Sequence, residues 1–332
     1  MSIKAIILAG GRATRLMPLT AQTPKSLVPV LNTPFMDHLL ALLQKHGVNE
    51  VTIAGGHLFA SLQKHYDQKR DLGVNLSFVY EEQPLGTAGA VANAWDGQQE
   101  TVLVLNGDIF SDVNIQHMLA FHQQNKASLT FLLTSVDDPS QYGVVETDNS
   151  GRVLSFTEKP PKEKANSHFI NAGIYVMEAS VLQRVPLGQA VSFEKDIFPS
   201  LLAEGELVYG YQSAAYWIDI GRATDYLKLN FDLLNGRAQT FVVPPDGLYD
   251  VSKQVIAHRG AVIAKDAQIK KSIIWRGCTV GRQTIVDNCV LCDRVFVSAD
   301  CYIKDSLLGA NVYIKEGQQV IEQKLAADAV FG

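Results

Sequence analysis

Apolar and polar positions follow two different periods along the chain. Over residues 1 to about 235, short apolar runs alternate with amphipathic stretches. The runs IKAIILAG, EVTIAG, LSFVY, TVLVLNGD and SLTFLLTSV are rich in β-branched residues and mostly end in turn chemistry, which predicts strands. Between them, FMDHLLALLQKHG puts Phe35, Leu39, Leu42 and Leu43 on one helical face and closes on a glycine. HLFASLQKHY and NIQHMLAFHQQN predict two further helices. Strand–helix alternation implies an α/β domain, its mostly parallel sheet covered on both faces. Ligands of such sheets sit at the carboxyl ends of strands, so the loops after Leu8, Tyr80 and Leu105 are the ones to read.

The stretch GRAQTFVVPPDG (236–247) breaks this pattern, and past about residue 255 a new period begins. Ile263, Val280, Val297 and Ile314 are 17 residues apart, as are Ile269, Val286, Ile303 and Val320, and Ile274, Leu291 and Leu308. Residues two positions before the first series (Ala261, Cys278, Val295, Val312) are small or β-branched. A repeated 6-6-5 spacing of inward aliphatics fits hexapeptide coils of a β-helix. Two domains are therefore expected, 1–236 and 251–332. So short a coil stack has an end to cover, by docking on the first domain or on another subunit, and a homo-oligomer is expected.

Composition narrows the class. With 332 residues, 47% hydrophobic and 19% charged, the chain is a soluble globular protein able to bury two cores. No apolar run reaches the roughly 18 residues of a membrane span. MSIKAIILAGG runs from its apolar hexad into glycine and arginine without a small-residue cleavage site. It reads as a buried strand, so the expected location is cytoplasmic. Twenty-nine basic against 34 acidic residues argue against a nucleic-acid partner. Positive charge is nonetheless concentrated locally: Lys4, Arg12, Arg15 and Lys25 precede the first carboxylate, Asp37. That is what a pocket needs when its ligand supplies the negative charge. Cys289 and Cys292 form a C-x-x-C, half of a zinc site. Without a second C-x-x-C or a following histidine, the four cysteines read as small core residues.

Candidate chemistry gathers on the predicted loops. KAIILAG runs into GRATRLMPLTAQTPKSLVPV, where two glycines permit close approach of a phosphate, with Arg12, Arg15 and Lys25 following on a solvated loop. The spacing is neither that of a P-loop nor G-x-G-x-x-G. Asp108 ends LVLNGD as a natural Mg²⁺ ligand beside phosphates, or as an ordinary turn aspartate. Asp219 in YWIDIG is flanked by apolar residues, and a half-buried carboxylate needs a partner or a metal. EEQPLGTAGAV offers a glycine loop for a planar base, with Gln83 for amide hydrogen bonds. Glu146, Glu158, Lys159, Asn171 and Gly173 stand at strand ends or turns, each alone compatible with a surface role.

Taken together, GGRATRLMPLT…PK, EEQPLGTAGA, LNGD, YGVVE, EKP, NAGIY, SFEKDIFP and WIDIGRATDY resemble, in order, the sugar-1-phosphate nucleotidyltransferases. PLGTAGA and FEKDIFP are similar to the mannose-1-phosphate guanylyltransferase branch. The resemblance covers essentially the whole chain. It implies a Rossmann-like nucleotidyltransferase domain followed by a short left-handed β-helix. It also implies transfer from an NTP, GTP by analogy, to a sugar 1-phosphate, mannose 1-phosphate first and a heptose or another hexose phosphate behind it. The implied roles are nucleotide binding by Leu8, Ala9, Gly10, Gly11, Gln83, Gly86, Thr87 and Gly107, and phosphate neutralisation by Arg15 and Lys25. Asp108 and Asp219 would ligate Mg²⁺. Glu146, Glu158, Asn171 and Gly173 would bind the sugar, and Lys159 its phosphate. The family usually has glycine where Ala13 stands, which sets the loop conformation in question. A non-catalytic sensor of nucleotide sugars would be expected to lose the lysine or a metal aspartate, and Lys25, Asp108 and Asp219 are all present. All implied contacts lie at or before Asp219, which leaves the coils a structural role.

Overall fold

The computed structural model describes residues 3–11, 13–69, 72–98 and 100–332. Arg12 lies outside them. The described chain divides into two compact units, each with its own core.

The first unit comprises the chain up to Gly11 and Leu39–Ile218. Among the described residues nine strands form one sheet: β1 Lys4–Leu8, β2 Glu50–Gly55, β3 Asn75–Tyr80, β4 Thr101–Asn106, β5 Leu129–Ser135, β6 Gly143–Thr147, β7 Val153–Glu158, β8 Phe169–Glu178 and β9 Val208–Gln212. The main path runs β7-β6-β8-β4-β1-β2-β3; β5 also pairs with β8, and β9 with β5. β4, β1, β2 and β3 are all parallel, and β8 joins them antiparallel. β1 lies between β2 and β4, Ile6 facing Thr52 on one side and Val104 on the other. Its Ala5, Ile6 and Ile7 are fully buried, which is why the sequence reads there as an unbroken apolar run.

The predicted helices form as α1 Phe35–Lys45, α2 Phe59–Asp67 and α4 Ile115–Gln124. One prediction is corrected. GTAGAVANA is α3, a helix over Gly86–Ala94, and not a glycine loop. Its glycines serve packing. A Cβ on Gly86 would stand 2.5 Å from the Val191 carbonyl oxygen, and one on Gly89 2.4 Å from that of Gln189. This closeness lets the N–H groups of Ala88 and Gly89 both donate to Val191 O, satisfying donors that a helix start leaves open.

The second unit comprises residues 13–38 and Asp219–Gly332. It contains helix α5, Ala223–Leu234, and the left-handed β-helix, whose short strands stack parallel in three faces. The 17-residue register is the one read from the sequence: Val280 over Val297 over Ile314, Val286 over Ile303 over Val320, Ile274 over Leu291 over Leu308. Its corners repeat as well. Lys271, Asn288, Asp305 and Glu322 have φ of 47°, 54°, 49° and 54°, so each turn is made by one left-handed residue. The four cysteines are buried thiols. Burial raises Cys278 and Cys289 to about 12, and the Cys278 Sγ–H donates to the carbonyl of Cys292.

Candidate active site

In the first unit the carboxyl ends of the parallel strands supply the candidate nucleotide residues. After Leu8, the Ala9 N–H donates to Ala54 O at 2.7 Å, and the Gly107 N–H donates to Leu8 O at 2.8 Å. A Cβ on Gly107 would lie 2.5 Å from that same oxygen, so glycine is required for β1 and β4 to end side by side. Gly10 and Gly11 differ. A Cβ on Gly10 would come no nearer than 3.5 Å to Glu81 Oε1, with the Gly55 and Gly56 backbone beyond it, and one on Gly11 would meet no described atom within 4 Å. Packing within the chain does not demand these two glycines. Asp108 follows Gly107 directly, partly buried.

Nothing in the sequence singles out Glu81. Its carboxylate stands over Gly10 and accepts from the Leu85 N–H at 3.3 Å, and desolvation pushes its pKa up. Gln83 is exposed two residues on. The neighbouring Glu82 is chemically identical, so only the fold tells which carboxylate faces the glycine loop. Thr87 is engaged internally: its hydroxyl donates to Glu194 Oε2 and accepts from the Phe193 N–H, both at 2.8 Å, which fastens the FEKD segment to α3.

The proposed sugar residues fall into two places. Asn171 shapes a bulge in β8, Oδ1 accepting from the Gly173 N–H and Nδ2 donating to Tyr175 Oη. Gly173 has φ of 74°, and a Cβ there would be 2.7 Å from Asn106 Nδ2, beside the end of β4. Lys159 pairs with Glu158 at 3.0 Å. Glu146 instead lines a cleft of about 840 Å³ together with Phe121, Phe169 and Tyr211, a cleft that none of Glu158, Lys159, Asn171 or Gly173 lines.

The second unit holds Arg15, Lys25 and Asp219 close together. Lys25 Nζ is 3.7 Å from Asp219 Oδ1. A Cβ on Gly221 would lie 3.0 Å from Arg15 Nη2 and 3.3 Å from both Asp219 carboxylate oxygens, so the guanidinium and the carboxylate both border this residue. The lysine is not in a solvated loop: its side chain is only 13% exposed. Local hydrogen bonds build the backbone around it, Leu27 N–H to Pro24 O and Val28 N–H to Lys25 O. Two further charges were missed. Asp225 is half-buried and raised by desolvation, an effect opposed by Arg222 and Arg15. Both belong to WIDIGRATDY, where the sequence draws attention to Asp219 alone.

Ala13 adopts φ 48° and ψ 39°, the left-handed conformation natural to glycine. Its carbonyl accepts from the Thr20 hydroxyl and the Leu16 N–H, both at 3.0 Å, and these bonds hold the alanine in place. At the other end of the segment His38 is buried between Val30 O and the Thr240 hydroxyl. A carbonyl can only accept, so Nε2 carries the proton and Nδ1 accepts from Thr240. Desolvation lowers the His38 pKa to about 4.

The chain belongs to a class of enzymes, the Nucleotidyl transferase family, whose profile matches residues 4–236. A GlmU-like C-terminal hexapeptide profile matches 242–331. Among its relatives, the chain is similar to mannose-1-phosphate guanylyltransferase of Mycobacterium tuberculosis, 36% identical over 91% of this chain and 83% of that protein. It is 40% identical to the mannose-1-phosphate guanylyltransferase catalytic subunit beta of Danio rerio, over 68% of this chain and 63% of that one. Of solved structures, HddC from Yersinia pseudotuberculosis complexed with GMP-PN matches 70% of this chain and 99% of its own, with TM-score 0.61 and 26% identity. Among the described residues no helix is long and apolar enough to cross a membrane.

Proposed function

We propose that the protein transfers a guanylyl group from GTP to mannose 1-phosphate, giving GDP-mannose and pyrophosphate. Residues 1–236 would be its catalytic domain and 251–332 its coil domain. The observation that carries the reading is the convergence of Arg15 and Lys25 on Asp219. The names of the relatives, and the guanine nucleotide analogue in the Yersinia structure, favour the same substrates. Glu81 supports guanine on chemical grounds: a carboxylate is acceptor-only, and guanine offers N1–H and N2–H donors side by side.

The attacking group is a phosphate oxygen, largely ionised near pH 7 because its second pKa is about 6, so no general base is needed. It forms a bond to the α-phosphorus of GTP as the bond to pyrophosphate breaks, in line and without a covalent enzyme intermediate. Arg15 and Lys25 offset the repulsion between the two polyanions and the charge that develops on the leaving group. The backbone of Leu8, Ala9, Gly10, Gly11 and Gly107 would admit the nucleotide. Glu158, Asn171 and Gly173 would hold the sugar, and Lys159 its phosphate. Carboxylates are hard oxygen donors suited to Mg²⁺, and Asp108 and Asp219 are the residues that would hold it. When bound, it supplies further charge relief at the phosphates. Phe296 and Tyr313, stacked with centroids 5.3 Å apart on an exposed coil face that includes Val262 and Val330, support a homo-oligomer. Four unpaired thiols suit a reducing, cytoplasmic setting.

The test is product analysis with GTP, mannose 1-phosphate and Mg²⁺. GDP-mannose and pyrophosphate should appear in equal amounts, and a chelator should stop both. Undiminished turnover in excess chelator would contradict the metal assignment, and absence of either product would contradict the reaction.

A further inference from the structure

The segment carrying Arg15 and Lys25 packs with the coils, which follow it by more than two hundred residues. One chain of hydrogen bonds connects them. Trp275, at the end of the coil strand Ser272–Ile274, donates from Nε1 to Tyr226 Oη at 3.1 Å. Tyr226, on α5, donates in turn to Pro29 O at 2.6 Å. The polarity is fixed, because an indole N–H can only donate and a carbonyl can only accept. Both aromatic residues are buried, so neither bond competes with bulk water. One turn along α5, Asn230 Oδ1 accepts from the Leu31 N–H at 2.9 Å while its Nδ2 holds Tyr226 O. Ahead of Lys25, residues from Pro18 to Thr23 face Trp275, Arg294, Ala310 and Ala327 across a cleft of about 170 Å³. The segment that follows the lysine is therefore tied to α5 and, through Trp275, to the coils, and the segment ahead of it lines a cleft with them.

We propose that Tyr226 and Trp275 are positioning residues for Lys25, so that the coil domain sets the place of a catalytic cation instead of serving assembly alone. The proposal rests on the reading that Lys25 acts in nucleotidyl transfer. Pro29 is four residues past Lys25, and the Val28 N–H to Lys25 O bond joins the anchored carbonyl to the turn that presents the lysine. Losing the Tyr226 hydroxyl leaves the Pro29 carbonyl and the Trp275 N–H without their shared partner and frees the loop to shift. Proximity effects are steep enough that a shift of about 1 Å costs roughly a hundredfold at worst.

The experiment is a double-mutant cycle of Tyr226→Phe with Lys25→Ala, read by steady-state kinetics on the full chain. Tyr226→Phe should lower kcat about tenfold while each KM changes less than about twofold, the mark of a loss felt in the transition state. In the Lys25→Ala background it should add no more than about a twofold change. Trp275→Phe keeps the hydroxyl and its bond to Pro29, and should give a smaller loss in the same direction. Amide hydrogen exchange over residues 25–34 should quicken in Tyr226→Phe. An equal fall in both backgrounds, unchanged kcat, or unchanged exchange would overturn the proposal, as would failure of both single variants to fold. If Lys25→Ala itself leaves turnover unchanged while exchange quickens in Tyr226→Phe, the network holds the loop and the functional reading is what fails.

Discussion

The Lys25 ammonium stands 3.7 Å from the Asp219 carboxylate, with side chains only 13% and 23% exposed. A lysine this enclosed, with Arg15 nearby, has its charge fixed in place before any ligand arrives. Preorganised charge needs no rearrangement during the reaction, which is why it contributes more than the same charge on a mobile surface chain.

Lys25→Ala should therefore lower turnover by about a hundredfold or more. The fold should survive, since Arg15 still borders Asp219. Steady-state kinetics with a thermal melt check both; near-normal turnover would remove Lys25 from the chemistry.

Gly221→Ala places a methyl 3.0 Å from Arg15 Nη2 and 3.3 Å from the Asp219 oxygens. The end of an arginine side chain yields cheaply, so the melting temperature should barely change. Its displacement should cost about tenfold in kcat. Unchanged kinetics would show that the position of Arg15 is immaterial.

Ala13→Gly should keep activity and stabilise the protein by up to about 1 kcal/mol. The left-handed backbone costs an alanine roughly 1–2 kcal/mol, and glycine's greater freedom in the unfolded chain offsets part of the relief. Denaturant titration measures the difference; a destabilised variant would contradict the strain argument.

Acid should weaken the fold through His38. Its folded pKa is about 4 against 6.5 for the free side chain, so between those values the unfolded chain binds a proton that the folded chain excludes. Its contribution is complete above pH 6.5 and is lost as pH falls towards 4, at most about 1.4 kcal/mol per pH unit and about 3 kcal/mol in all. Urea unfolding from pH 7.5 to 4.5 should show a shallower pH dependence in His38→Gln than in the parent chain. Parallel curves would show that His38 does not titrate in this way.

What the sequence made legible follows from the range of the interactions involved. The coils repeat one packing problem every 17 residues, so Val280, Val297 and Ile314 announce themselves. The parallel strands show as apolar runs because both faces are covered. Helix α3 was hidden because Gly86 and Gly89 offset its alanines, and the use of those glycines, close packing against the 189–191 backbone, leaves no local signal. The packing of residues 13–38 with the coils depends on Tyr226 reaching Pro29 and Asn230 reaching Leu31, contacts that leave no local pattern. The chemistry of the basic segment could be read from its charge, but its burial and anchoring could not.

The most direct test of the central claim is pyrophosphate release across five NTPs, each paired with mannose 1-phosphate, a heptose 1-phosphate and glucose 1-phosphate. The parent chain should give its highest kcat/KM with GTP and mannose 1-phosphate, and Glu81→Gln should lose selectivity for GTP more than it loses turnover. Pyrophosphate from no pair would contradict nucleotidyl transfer itself, and a clear preference for another base or sugar would contradict the substrates assigned here.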